Sequence, residues 1–100
     1  MKVKNMVSAS GKKVANQFVI TGQSENGLIE YETFQSYESV IVKVSTIKNN
    51  QLCDEVVELD AKYYKHSITT INYRNQFLNE TSKEINKKIS DGTYFLTNLN

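Results

Sequence analysis

A chain of 100 residues with 39% hydrophobic and 23% charged side chains and ten aromatics has the composition of a single soluble globular domain covering residues 1–100. A second domain does not fit, and at this size roughly two thirds of the surface of the unfolded chain is buried, enough for one modest core without metals or disulfides. Twelve basic against eleven acidic side chains leave a formal charge of +1, so bulk charge alone does not hold the chain on DNA or an anionic membrane.

Taken in chain order, the first three fifths read as strands. Lys2 to Ser8 alternates and runs into the turn-like cluster Ser8-Ala9-Ser10-Gly11-Lys12-Lys13. Val14 to Thr21 contains Phe18-Val19-Ile20 and stops before Gly22, and Gln23 to Gly27 supplies a loop. Leu28 to Tyr37 alternates. Val40 to Ile47 is β-branched at nearly every second position, Lys48-Asn49-Asn50 is a turn, and Gln51 to Leu59 offers a fifth strand. Hairpins are the economical connections for such a meander. The period then switches. Ile68, Ile71, Leu78 and the pair Tyr73/Phe77 form a helical apolar stripe with Ser67 or Thr69 as N-cap. Thr81-Ser82-Lys83-Glu84 is a capping-box pattern, Ile85 and Ile89 share a face, and Gly92 sits where a left-handed residue ends a helix. Thr93 to Leu99 reads as a sixth strand or an extended tail that packs Phe95 or Leu96 on the core. The expected architecture is α+β: an antiparallel sheet of about five to six short strands with one or two C-terminal helices on one face.

The charges are unevenly spread. Residues 1–24 carry four lysines and no acid, residues 25–60 eight acids against two lysines, and residues 61–100 six basic side chains against three acids. The acidic centre contains Glu30, Glu32, Glu38, Asp54, Glu55 and Glu58. Gathered on one face, these acids would imitate a nucleic-acid backbone and occupy a basic groove. The densest cluster of binding groups is Tyr63, Tyr64, Lys65 and His66, with Tyr73 and Arg74 one and two helical turns on. Rings, amides and a guanidinium at a helix N-terminus suit a phosphate and a stacked base, or serve as anchors on a protein. The plainer reading is that Ser67, Thr69 and Thr70 cap the helix, the tyrosines lie half-buried against the sheet, and Arg74 pairs with an acid such as Glu80.

Catalytic chemistry is poorly supplied. One histidine and one cysteine, His66 and Cys53, make a nucleophile and base only if the fold joins them, and neither has a zinc-type partner at ligand spacing. The expectation is therefore no enzyme, no metal and no cofactor. The single cysteine excludes an internal disulfide, no apolar run reaches membrane-spanning length, and the start lacks a secretory signal, which together predict a cytoplasmic protein without membrane contact.

The strings Val7-Ser8-Ala9-Ser10-Gly11-Lys12-Lys13-Val14-Ala15-Asn16-Gln17-Phe18, Thr33-Phe34-Gln35-Ser36-Tyr37-Glu38-Ser39-Val40-Ile41, Tyr73-Arg74-Asn75-Gln76-Phe77-Leu78 and Lys88-Ile89-Ser90-Asp91-Gly92-Thr93-Tyr94-Phe95-Leu96 resemble a family of small proteins encoded by phages, plasmids and related mobile elements of Gram-positive bacteria. The stretches Gln23 to Glu30 and Thr46 to Glu58 look like longer inserts between its blocks. The resemblance brings no catalytic or binding residues with it. It implies a setting, the cytoplasm of the host cell, in which short accessory genes often encode inhibitors of defence, including anti-CRISPR proteins. The expected function is a non-enzymatic interaction protein that inhibits a host protein such as a type II CRISPR nuclease or its guide-RNA complex. The alternative is a nucleic-acid-binding accessory protein of phage replication or regulation, which needs Lys2, Lys4, Lys12, Lys13, Lys83, Lys87 and Lys88 to converge. A homodimer through an edge strand is compatible with either.

Overall fold

Period-two alternation needs neighbouring strands to pair with, and the chain supplies them in immediate succession. In a computed structural model describing residues 1–49 and 52–100, with backbone alone at 49, 52 and 53, the strands are β1 (Lys2–Val7), β2 (Lys13–Gln23), β3 (Ile29–Ser36), β4 (Ser39–Asn49) and β5 (Leu52–Asp60). Helices α1 (Ile68–Leu78) and α2 (Ser82–Ser90) follow, then β6 (Phe95–Thr97). The expected turn at Lys48 to Asn50 lies partly outside the described residues.

The six strands form one sheet in the order β1-β2-β3-β4-β5-β6. The first five pair antiparallel, as hairpin connections require, whereas β6 lies parallel to β5. Two helices between β5 and β6 make that difference, because a crossover returns the chain in its original direction. No helix is long and apolar enough to cross a membrane.

Register decides which side chains meet. Lys4, Val19, Phe34, Val42 and Leu59 occupy one row across β1 to β5, and the last four are buried. The helices cover this face. Phe77 of α1 stacks on Phe34 with ring centroids 5.9 Å apart, and Ile85 of α2 is fully buried in the same core. Each such side chain contributes roughly 1.5–3 kcal/mol by leaving water. Ile41 is the extra residue of a bulge in β4 opposite Phe34 and Gln35, and it joins the core. The alternate residues of each strand face away from both helices.

Local chemistry sets the helix ends. Ser67 caps α1, its Oγ accepting from the Thr70 amide at 3.1 Å, so the serine of the two candidate caps holds the position. Thr81 and Glu84 complete the expected capping box of α2, and Gly92 takes φ 84° just past its end. Two expectations are corrected. Ile68 follows the Ser67 cap on the outward side of the first turn and is exposed, so the buried stripe begins after it. At the C-terminal end Tyr94 fills the core position, while Phe95 and Leu96 are 52% and 42% exposed, since β6 is an edge strand with no strand beyond it.

Candidate functional site

At one end of the sheet, the β3–β4 turn and the segment between β5 and α1 come together. Ser36 pairs with Ser39, which leaves Tyr37 and Glu38 as a two-residue connection. So short a hairpin needs positive φ, normally supplied by glycine or asparagine, yet here Tyr37 adopts φ 55°. Its amide donates to the Asn16 carbonyl at 2.7 Å and its own carbonyl accepts from Gln35 Nε2 at 2.8 Å, which fixes the peptide on both sides. The Tyr37 side chain gains no burial from this, being 60% exposed.

The opposite wall is built by Asp60. One of its carboxylate oxygens accepts from the amides of Lys62 and Tyr63 at 3.1 and 2.9 Å, and the other accepts from the Leu99 amide at 2.8 Å. Burial pushes the carboxyl group up, but the Leu99 amide, the Asn100 side chain and the Tyr63 and Lys62 amides outweigh it and hold its pKa below the ordinary value. The turn so fixed sets Tyr63 edge-on against His66, 5.7 Å between ring centroids. Between the two walls lies a cavity of about 300 Å³, with Ser36, Thr70 and Ile41 inside and Tyr37, Tyr63 and His66 among its lining. Ser36 Oγ and Thr70 Oγ1 are 3.3 Å apart, and Ser67 Oγ donates to Thr70 Oγ1 at 3.0 Å. The cavity combines hydroxyls with aromatic walls, suited to receiving a side chain or a small polar group.

The aromatic and basic cluster divides here. Tyr63, Tyr64 and Tyr73 are half-buried against the core, Lys65 and His66 are exposed, and Arg74 is 2% exposed. Arg74 Nη1 donates to the Tyr64 carbonyl at 2.7 Å, Nε and Nη2 to Asn75 Oδ1 at 3.1 and 2.9 Å, and Nη2 also to Ser82 Oγ at 3.2 Å. Burial pulls its pKa down from the ordinary arginine value, and Tyr64 partly offsets the fall. The guanidinium thus ties the pre-helix turn to the start of α2 and does not face solvent. Nor does it pair with Glu80, which instead accepts from Tyr94 and bridges Lys88 at 2.7 Å. Lys62 and Lys65 lie over the rings of Tyr63 and Tyr64, at 5.2 and 5.5 Å.

The six acids do not share a face. Glu30, Glu32 and Glu55 fall on the helix side of the sheet, where the helices no longer cover it, and line an open concavity of about 540 Å³. Glu30 there pairs with Lys48 at 2.5 Å. Asp54 and Glu58 project from the opposite side, and Glu38 sits beside Tyr37 in the far turn. Period-two geometry is the reason: acids at odd spacing in one strand must separate.

Sequence reasoning passed over Tyr37 because it read as the last residue of an alternating strand. The signal was available in the absence of glycine or asparagine between Ser36 and Ser39. Among the described residues no group of three His, Cys, Asp or Glu side chains comes together to hold a metal ion. The Cys53 side chain, half of the cysteine–histidine pairing considered above, lies outside those described. No curated protein and no solved structure matches the chain. A family model does match, over residues 1–92, and the chain belongs to that family, the family of unknown function DUF8033.

Proposed function

We propose that the chain is a non-enzymatic interaction protein that engages a protein partner through the end of the sheet carrying Tyr37, Tyr63 and His66. In the mobile-element setting implied by the resemblance, that partner is a component of bacterial defence such as a type II CRISPR nuclease, and binding inhibits it. One observation carries the reading: Tyr37 accepts a left-handed backbone, at a cost of about 1 kcal/mol or more for a bulky residue, while its ring stands in solvent at the cavity. Folding gains nothing from that ring. An exposed tyrosine beside a pocket is a common form of interface anchor.

The test separates stability from binding. Tyr37→Gly relaxes the turn and raises the unfolding free energy by about 1 kcal/mol, read from the denaturant midpoint. The same variant weakens binding to purified type II CRISPR nuclease, with or without guide RNA, by at least ~10-fold. Unchanged binding by a stabilised Tyr37→Gly protein rejects the site.

A second reading, a nucleic-acid-binding accessory protein, draws on the Lys62–Tyr63 and Lys65–Tyr64 stacks at the same end. It requires binding to DNA or RNA oligomers that falls steeply as salt rises. No binding at low salt removes it.

A further inference from the structure

The uncovered side of the sheet is the largest feature that the site above leaves unused. Its central row, read through the register, runs Val3, Ile20, Thr33, Lys43, Glu58 and Phe95, one residue from each strand. Phe18, Tyr31 and Val56 stand on the same side in the flanking rows. These are half-buried only by one another, and Val3 is 59% exposed. An apolar field of this kind, interrupted by few charges, marks an interaction surface more often than a solvated one.

We infer that this face is the interface of a symmetric homodimer formed sheet on sheet. The charges favour a second copy as occupant. Lys43 and Glu58 are cross-strand neighbours in the central row, yet Lys43 Nζ lies over the Tyr31 ring at 4.5 Å and not on Glu58. A two-fold axis parallel to the strands and midway between β4 and β5 sets Lys43 over the partner's Glu58, and by symmetry repeats the pair. Two packed sheets stand ~10 Å apart, a gap that an extended lysine and glutamate together span. The same rotation carries Phe95, the exposed aromatic of the edge strand, onto Thr33 beside Ile20. Like meets unlike along the row, the self-complementarity an isologous contact demands.

Area fixes the strength. With the axis there, β3 to β6 overlap, roughly 20 Å across and 25 Å along at ~4.8 Å per strand and ~3.3 Å per residue. The total buried is about 1,000 Å², the lower bound for a specific interface, so the dimer is reversible and forms in the micromolar range. The Tyr37 end of each subunit stays free, so the dimer stands independently of the partner reading above.

Sedimentation velocity on the full chain from ~1 to ~500 µM tests the proposal, since mass action must populate the dimer as concentration rises. The expected result is a monomer–dimer equilibrium in the wild type. Lys43→Glu alone and Glu58→Lys alone each raise the dissociation constant at least ~10-fold, and the double exchange restores it, because the cross-subunit pairs are rebuilt with reversed polarity. Phe95→Asp, at an exposed edge position that folding does not depend on, also gives monomer. A wild type that stays monomeric at the highest concentration overturns the proposal, as do single charge variants that dimerise normally or a double exchange that does not recover. Circular dichroism melts accompany each variant, and if a single charge variant is unfolded, Phe95→Asp decides.

Discussion

Asp60 is a buried carboxylate satisfied by amides and not by a cation. It joins the end of β5, the pre-helix turn and the Leu99 amide through one side chain. Its pKa is depressed in the folded protein, so its stabilisation is complete above the ordinary carboxylate range, at ~pH 4, and is lost as pH falls through the lower folded value. Asp60→Asn removes one acceptor and the charge. At pH 7 the variant unfolds at a lower urea concentration than the wild type, and the gap between them narrows progressively below ~pH 4 as the wild-type carboxylate protonates. A gap that stays constant down to pH ~2 contradicts the depressed pKa. Arg74 teaches the complementary lesson. A lone arginine in an amphipathic helix has the same sequence signature whether it points to solvent or, as here, inward to the Tyr64 carbonyl, Asn75 and Ser82. Which it does depends on the path of the preceding turn, which no spacing rule encodes. Tyr37 lies between these cases, since its strain follows from a turn length that the chain does display.

Elements were more legible than single residues because each is bounded by chemistry within a few positions. Five strands, both helices and their caps follow from alternation, from Ser67, and from the Thr81/Glu84 pair. In α2 the Glu84 pKa is lowered first by the hydrogen bond from the Thr81 amide and then by the Thr81 hydroxyl, the reciprocal arrangement of a capping box. Thr81→Ala therefore costs about 1 kcal/mol, measured by thermal melts, and Thr81→Ser recovers most of it. Equal melting of the alanine variant and wild type would mean that the box adds nothing to tertiary packing. What the elements withheld was their relation to one another. That β6 runs parallel to β5, and that Tyr94 and not Phe95 or Leu96 enters the core, depends on where α2 delivers the chain. The strand period also explains why three acids of the centre share the helix side and two do not: the sheet sorts Glu30, Glu32 and Glu55 from Asp54 and Glu58 by parity alone.

At the scale of the molecule, the basic start, acidic centre and basic end do not become faces, because a meander interleaves consecutive segments and places each strand's charges on both sides. The order of strands also orders their assembly. Every antiparallel pair joins neighbours in sequence, so their loops close cheaply, whereas β6 meets β5 only after two helices have intervened. The closure is completed by Asn100, whose side-chain amide accepts from the Val40 amide at 2.8 Å and donates to the Val40 carbonyl at 2.9 Å, across sixty positions of chain. Contacts that span the most chain form after the hairpins have already reduced the entropy to be lost. Asn100→Ala, which deletes both bonds, destabilises by about 1–2 kcal/mol. In a chevron measurement that loss falls on the unfolding limb, speeding unfolding by about 5- to 30-fold and leaving the folding limb within error of wild type, since the clamp is absent from the transition state. A slowed folding limb would place the β5–β6 closure in the folding nucleus and reverse the order, with the helices laid down before the sheet is complete.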